Sequence, residues 1–189
     1  VIGKDVPIAV LEAVAELPVA TLHAGLDRLQ GAEFLHESRL LPAPVYTFKH
    51  ALTQEAAYQS LLRSTRQPYH QRIAQVLAEQ SPETVRLYPE RLARHYTEAG
   101  LAEQAIPYWQ QAGHRALERS ANRDAVSHFT KGLELLKTLP ETSERTQQEL
   151  HVQTTLGPAL MALKGYASPE VEAVYHRARE LCQQVGETP

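Results

Sequence analysis

Residues 89–112 read Pro89-Glu90-Arg91-Leu92-Ala93-Arg94-His95-Tyr96-Thr97-Glu98-Ala99-Gly100-Leu101-Ala102-Glu103-Gln104-Ala105-Ile106-Pro107-Tyr108-Trp109-Gln110-Gln111-Ala112. Leu92, Tyr96 and Ala99 recur at helical spacing, and Ala105, Trp109 and Ala112 do so again after a break at Gly100. Glycine ends a helix readily because it has no Cβ to oppose the left-handed turn. The order along the two helices is large, small, aromatic, then small, aromatic, small. Small residues suit the place where two helix axes cross closely, and aromatics fill the gap to a neighbouring pair. A helix pair of this kind cannot bury its apolar face alone, so it must stack on another.

The spacing of Leu92, Ala93, Tyr96, Ala105, Trp109 and Ala112 matches the tetratricopeptide pattern. A second copy overlaps it, with Ala112-Gly113 and Ala116 in the first-helix part and Ala125, Phe129 and Gly132 in the second. Leu156-Gly157 and Leu160 resemble the start of a third. Asn122 reads as the cap of a helix carrying Ala125, Phe129, Leu133 and Leu136, and Thr138–Ser143, centred on Pro140, as a loop. Val152, Leu156, Leu160 and Leu163 mark the next helix. Gly165-Tyr166-Ala167 turns the chain. Ser168-Pro169-Glu170 is a capped start for a last helix with Val171, Val174, Ala178, Leu181 and Val185. An ordinary helical bundle is the plainer alternative.

The first 80 residues follow another pattern. Ile8, Leu11 and Val14 predict a helix. Pro18 opens a second, with Leu22, Leu26 and Leu29 on one face and Gly31 as its stop. Two short apolar runs follow, 33–36 and 45–48, separated by a segment with prolines on both sides of Ala43, so they read as a hairpin or wing. Helix, helix, two-stranded wing is the order of the later part of a winged-helix domain. Beyond His50, Ala57, Tyr58, Leu61 and Leu62 form an apolar stripe. Ser64 reads as the N-cap of a helix carrying Tyr69, Ile73, Val76 and Leu77. Residues 81–88 read as a linker.

Composition narrows the chemistry. The chain has 189 residues and a net charge of −3, which supplies no broad electrostatic grip for nucleic acid or anionic lipid. One cysteine excludes an internal disulfide framework and a thiolate zinc cluster. No apolar run approaches the roughly 20 residues that span a bilayer. The start, Val1-Ile2-Gly3-Lys4, lacks an initiator Met and a signal-peptide pattern, so a piece of a longer cytoplasmic protein is expected. There is no Gly-x-x-x-x-Gly-Lys-Ser/Thr loop and no His-Glu-x-x-His. The nine histidines include no i, i+4 pair. Cys182 in an apolar stripe reads as a structural thiol, and Trp109 as core. The helix that would enter a DNA groove, 18–30, offers Arg28 offset by Asp27, and the wing adds Arg39. Arg63, Arg66, His70 and Arg72 read as a solvated basic face. His50 opens a helix directly after a strand, where helix N-termini favour anions; the plainer roles are a capping or core histidine.

A resemblance runs through these residues. Val1-Ile2-Gly3, Leu26-Asp27-Arg28-Leu29, Tyr46-Thr47-Phe48-Lys49-His50-Ala51-Leu52, Gln54-Glu55-Ala56-Ala57-Tyr58, Leu61-Leu62, Arg66, His70, Ile73-Ala74, His95-Tyr96-Thr97-Glu98-Ala99-Gly100, Gly165-Tyr166 and Pro169-Glu170-Val171 stand in the order seen in large bacterial signalling ATPases. In those proteins a P-loop module of the STAND type (AAA ATPase) precedes a winged helix and tetratricopeptide repeats, and many carry an adenylate/guanylate cyclase domain. The string 46–62 is the most specific part. The resemblance implies that His50 sits where a histidine contacts the β-phosphate of bound ADP and holds the closed state. The P-loop, the metal-binding acid and any cyclase domain lie outside these residues.

The expectation is therefore a mainly α chain. A winged-helix-like module with a small β-hairpin (1–80) and a linker (81–88) lead into TPR-like antiparallel helix hairpins, an α-solenoid (89–189). The segment itself is expected to be non-catalytic, with no cofactor and no metal of its own; ATP/ADP and Mg belong to the longer protein. Its partners would be an upstream nucleotide-binding domain and a protein or peptide on the repeats, with no membrane and no nucleic acid. The alternative is a DNA-binding transcriptional regulator with winged helix and repeats.

Overall fold

The computed structural model describes residues 1–3, 5–38, 44–80 and 82–186. It is mainly helical, with one small antiparallel sheet, and divides into two units, Val1–Glu83 and Thr84–Pro189. The expected tip of the wing, including Arg39, and Ser81 of the expected linker lie outside the described residues.

The first unit begins with strand β1 (Asp5–Pro7), helix α1 (Ile8–Ala15) and helix α2 (Val19–Gly31). Strands β2 (Leu35–Ser38) and β3 (Val45–Phe48) follow, then helices α3 (Ala51–Gln59) and α4 (Arg63–Gln80). The strand order is β1-β3-β2, all antiparallel. The hairpin is therefore a three-stranded sheet, and its second strand starts two residues later than the apolar run 33–36 suggested. Strand β1 escapes sequence reading because it is three residues long, too short to display alternation, and ends in proline. Its pairing is non-local: Asp5 opposes Thr47, and the Thr47 hydroxyl donates to the Asp5 carboxylate at 2.8 Å.

Helix α1 is apolar almost all round because it is buried on two sides. Ile8 faces Leu22, Leu26, Leu35 and Tyr46, while Val10 and Val14 pack against Ile73 and Val76 of α4. Arg72 of α4 closes the end of α1: its Nε donates to the Ala13 carbonyl at 3.0 Å and its guanidinium pairs with Glu16, which is itself left-handed at φ 51°. Gly31 is not the stop it was expected to be. It is the last helical residue, and the left-handed turn falls on Glu33 at φ 64°. Ser64 is not an N-cap either, since α4 starts at Arg63 and the Leu62 carbonyl accepts from Thr65 and Arg66.

The second unit continues from a short helix, α5 (Pro82–Leu87), that occupies most of the expected linker. Helices α6 (Pro89–Ala99), α7 (Ala102–Glu118), α8 (Asn122–Leu136), α9 (Ser143–Lys164) and α10 (Pro169–Val185) follow. Each packs chiefly on the next, and connections of two to six residues make neighbours antiparallel. Gly100 closes α6 at φ 79°. Asn122 is the first residue of α8 rather than its cap, a position held by Ala121.

Two glycines mark the tightest crossings. A methyl group at Gly113 of α7 would lie 2.5 Å from the Phe129 ring of α8, and one at Gly157 of α9 would lie 2.6 Å from Tyr175 of α10. The main core joins Ile106, Phe129, Leu136, Val152, Leu156 and Val171 across four helices. Side-chain caps start the last two helices: Thr142 Oγ1 accepts from the Arg145 N–H at 3.1 Å and Ser168 Oγ from the Val171 N–H at 3.3 Å. Thr142→Ala is expected to cost about 1 kcal/mol, read as a lowered urea midpoint with unchanged slope.

Candidate functional site

His50 takes the N-cap position of α3 with extended backbone, φ −129° and ψ 129°. Its carbonyl accepts from Thr53 and Gln54, so it already belongs to the first helical turn. Its imidazole makes no capping hydrogen bond and is exposed. Both plain roles, cap and core, are thereby removed. Ahead of Thr53 the first-turn N–H groups of α3 have no intrahelical acceptor, as at any helix start, and no acidic residue stands in that turn.

Backbone hydrogen bonds from Phe34 N to Leu29 O and from Lys49 N to Phe34 O, both 3.0 Å, tie the α2–β2 turn to the end of β3. Leu29, Phe34 and Leu52 are exposed, Leu52 by 83%. Lys49 is paired with Glu33 at 3.3 Å. Helix α3 buries none of its residues. The expected stripe of Ala57, Tyr58, Leu61 and Leu62 is consequently not a core face: Leu62 is 74% exposed.

The basic stretch of α4 is not a uniformly solvated face. His70 is buried and shares a hydrogen bond with the Tyr58 hydroxyl, 3.1 Å from its Nε2. Arg66 lies 4.4 Å above the Tyr58 ring, and Arg72 closes α1. Arg63 remains exposed. The contacts of Tyr58 with His70 and Arg66 join the end of α3 to α4.

In the second unit, Trp109 is core, as its spacing implied. Its indole N–H donates to Thr97 Oγ1 at 2.9 Å, and the Thr97 hydroxyl passes on to the Ala93 carbonyl at 2.8 Å. Cys182 packs beside Leu150, Ala178 and Leu181. A groove of about 360 Å³ lies at the starts of α7 and α9, floored by Ile106, Pro107, Leu139 and Pro140 and edged by Glu103, Glu144 and Arg145. The Glu144 carboxyl is held below its ordinary pKa by its own backbone N–H, then by Thr142 and Ser143. Sequence reading missed the backbone bond that ties Lys49, the neighbour of His50, to Phe34, since only the fold brings those two residues together. It also missed a ring stack of His128 on Trp109.

Among the described residues no three His, Cys, Asp or Glu side chains are grouped to hold a metal, and no helix is long and apolar enough to cross a membrane. No protein-family model matches the chain, and no solved structure matches it. It is similar to an uncharacterized protein of Rhizobium meliloti (strain 1021), 29% identical over 185 residues. That match covers 97% of this chain and spans 18% of the relative's length.

Proposed function

We propose that this chain is a regulatory and protein-interaction segment of a larger signalling ATPase of the STAND type, without catalysis of its own. Residues 1–80 act as a winged-helix-like module that docks on an upstream nucleotide-binding domain, and residues 89–189 act as TPR-like repeats that receive a protein or peptide. The observation that carries the reading is His50: an exposed imidazole at a helix start, neither capping nor buried, directly after Lys49, whose backbone N–H donates to the Phe34 carbonyl. The order helix, helix, hairpin with strands β1-β3-β2 supports the winged-helix part. The close crossings at Gly113 and Gly157 support the repeat part, because both are small-residue positions of the pattern.

The residues around His50 suit one phosphate and no more. An imidazole and the N–H groups at the start of α3 ahead of Thr53 can donate to an anionic oxygen. The chain has no glycine-rich phosphate cradle, so the nucleotide and its Mg would be held by the upstream domain. Bound ADP would favour the docked arrangement through His50, and a partner on the repeats would favour release, a shift between two populations. An adenylate cyclase domain in the same protein would be an output of that shift. In the full-length protein His50→Ala is expected to weaken ADP about 10- to 100-fold, the worth of one charge-assisted hydrogen bond. Equilibrium titration with ADP reads this directly, and an unchanged affinity contradicts the sensor role.

A further inference from the structure

His128 and Trp109 form a second arrangement that the proposed function does not use. The half-buried His128 ring of α8 stacks on the Trp109 indole of α7, with centroids 5.5 Å apart and planes 26° from parallel. Lys131, one turn along α8, places its Nζ 4.5 Å from the centroid of the same indole. The His128 Nδ1 is buried and has no hydrogen-bond partner. A neutral imidazole tolerates such a site, because an unprotonated ring nitrogen is less costly to desolvate than a charged ring. An imidazolium would bring a second cation to an indole already occupied by one, with a buried N–H lacking an acceptor.

We propose that His128 is a proton-operated latch on the α7–α8 crossing: the neutral ring holds Trp109 stacked, and proton uptake releases it. The charged groups facing it are Glu90 from α6 and Asp124 and Lys131 from α8. Burial lowers the His128 pKa below 6.5 and Lys131 acts the same way, while Glu90 and Asp124 oppose them. The neutral form is thus preferred in the folded chain. The stability that the stack contributes is complete above pH 6.5 and is lost as pH falls through the lower folded value. The movement would loosen the place where Trp109 ties α7 to Thr97 of α6.

Trp109 is the single tryptophan of the chain, so its emission reports the latch without labelling. Over the pH range in which far-UV circular dichroism stays constant, emission should change along one titration curve with its midpoint below 6.5. His128→Phe, which keeps an aromatic ring and removes the proton, should flatten the curve. Lys131→Met should move the midpoint up and Glu90→Gln should move it down. A flat curve for the unaltered chain, or a His128→Phe curve that keeps the original transition, overturns the latch. If His128→Phe does not fold, the unaltered chain decides: by NMR the His128 ring and the Trp109 indole N–H must titrate with one midpoint, and two separate midpoints contradict the proposal.

Discussion

Phe129→Ala is expected to destabilise the second unit by about 3–5 kcal/mol, seen as a lower urea midpoint. The ring is 1% exposed and lies in the core shared by α7, α8, α9 and α10. Removing it leaves a cavity walled by elements whose backbones are already in close approach at Gly113, so the site has little room to collapse. The same geometry predicts a reversal of sign. Alone, Gly113→Ala should cost about 1–3 kcal/mol, because its methyl group would lie 2.5 Å from the ring. In the Phe129→Ala background that methyl group enters the cavity, and the better helix propensity of alanine adds to the gain, so the second substitution should stabilise. A Phe129→Ala loss below about 1 kcal/mol would mean that this crossing is not packed as described.

Arg177→Met is expected to cost about 3 kcal/mol. Its guanidinium grips Glu149 with two hydrogen bonds, Nε at 2.7 Å and Nη2 at 3.2 Å, and reaches Glu180 at 3.1 Å. Hydrogen bonding to Glu149 holds the Arg177 pKa above its ordinary value. The Glu149 side chain is only 5% exposed, so without Arg177 it becomes a buried charge with no counterion. Arg177 itself is 37% exposed, and water entering along its path keeps the loss at the lower end of the range for buried pairs. The double variant Glu149→Gln, Arg177→Met should recover most of the stability, since the cost lies in the stranded charge. If the double variant is as unstable as Arg177→Met alone, lost packing between α9 and α10 is the cause instead.

The helices of the second unit were legible because local signals agree there: Gly100, Pro140 and Ser168 punctuate the chain, and the apolar spacing between them is strictly helical. The close crossings could be anticipated from small residues at Ala112-Gly113 and Leu156-Gly157. The first unit was read less well, for identifiable reasons. Strand β1 depends on pairing with residues forty positions away. The turn after α2 is made by Glu33 rather than by the nearby glycine. The apolar stripe 57–62 has core-like spacing, yet α3 buries none of its residues and Leu62 is exposed, and spacing alone cannot tell a buried face from an uncovered one. The position of His50 at a helix start was visible in Phe48-Lys49-His50; its exposure was not. The His128–Trp109 stack joins residues of two helices and leaves no mark in either one's periodicity.

Dissociation of ADP from the full-length protein, with and without His50→Ala, tests the sensing role most directly. Loss of the imidazole should speed release about tenfold or more, in step with the weakened affinity, because differences of this kind are carried mainly by off-rates. Equal release rates for the two proteins would contradict the account, whatever the repeats bind.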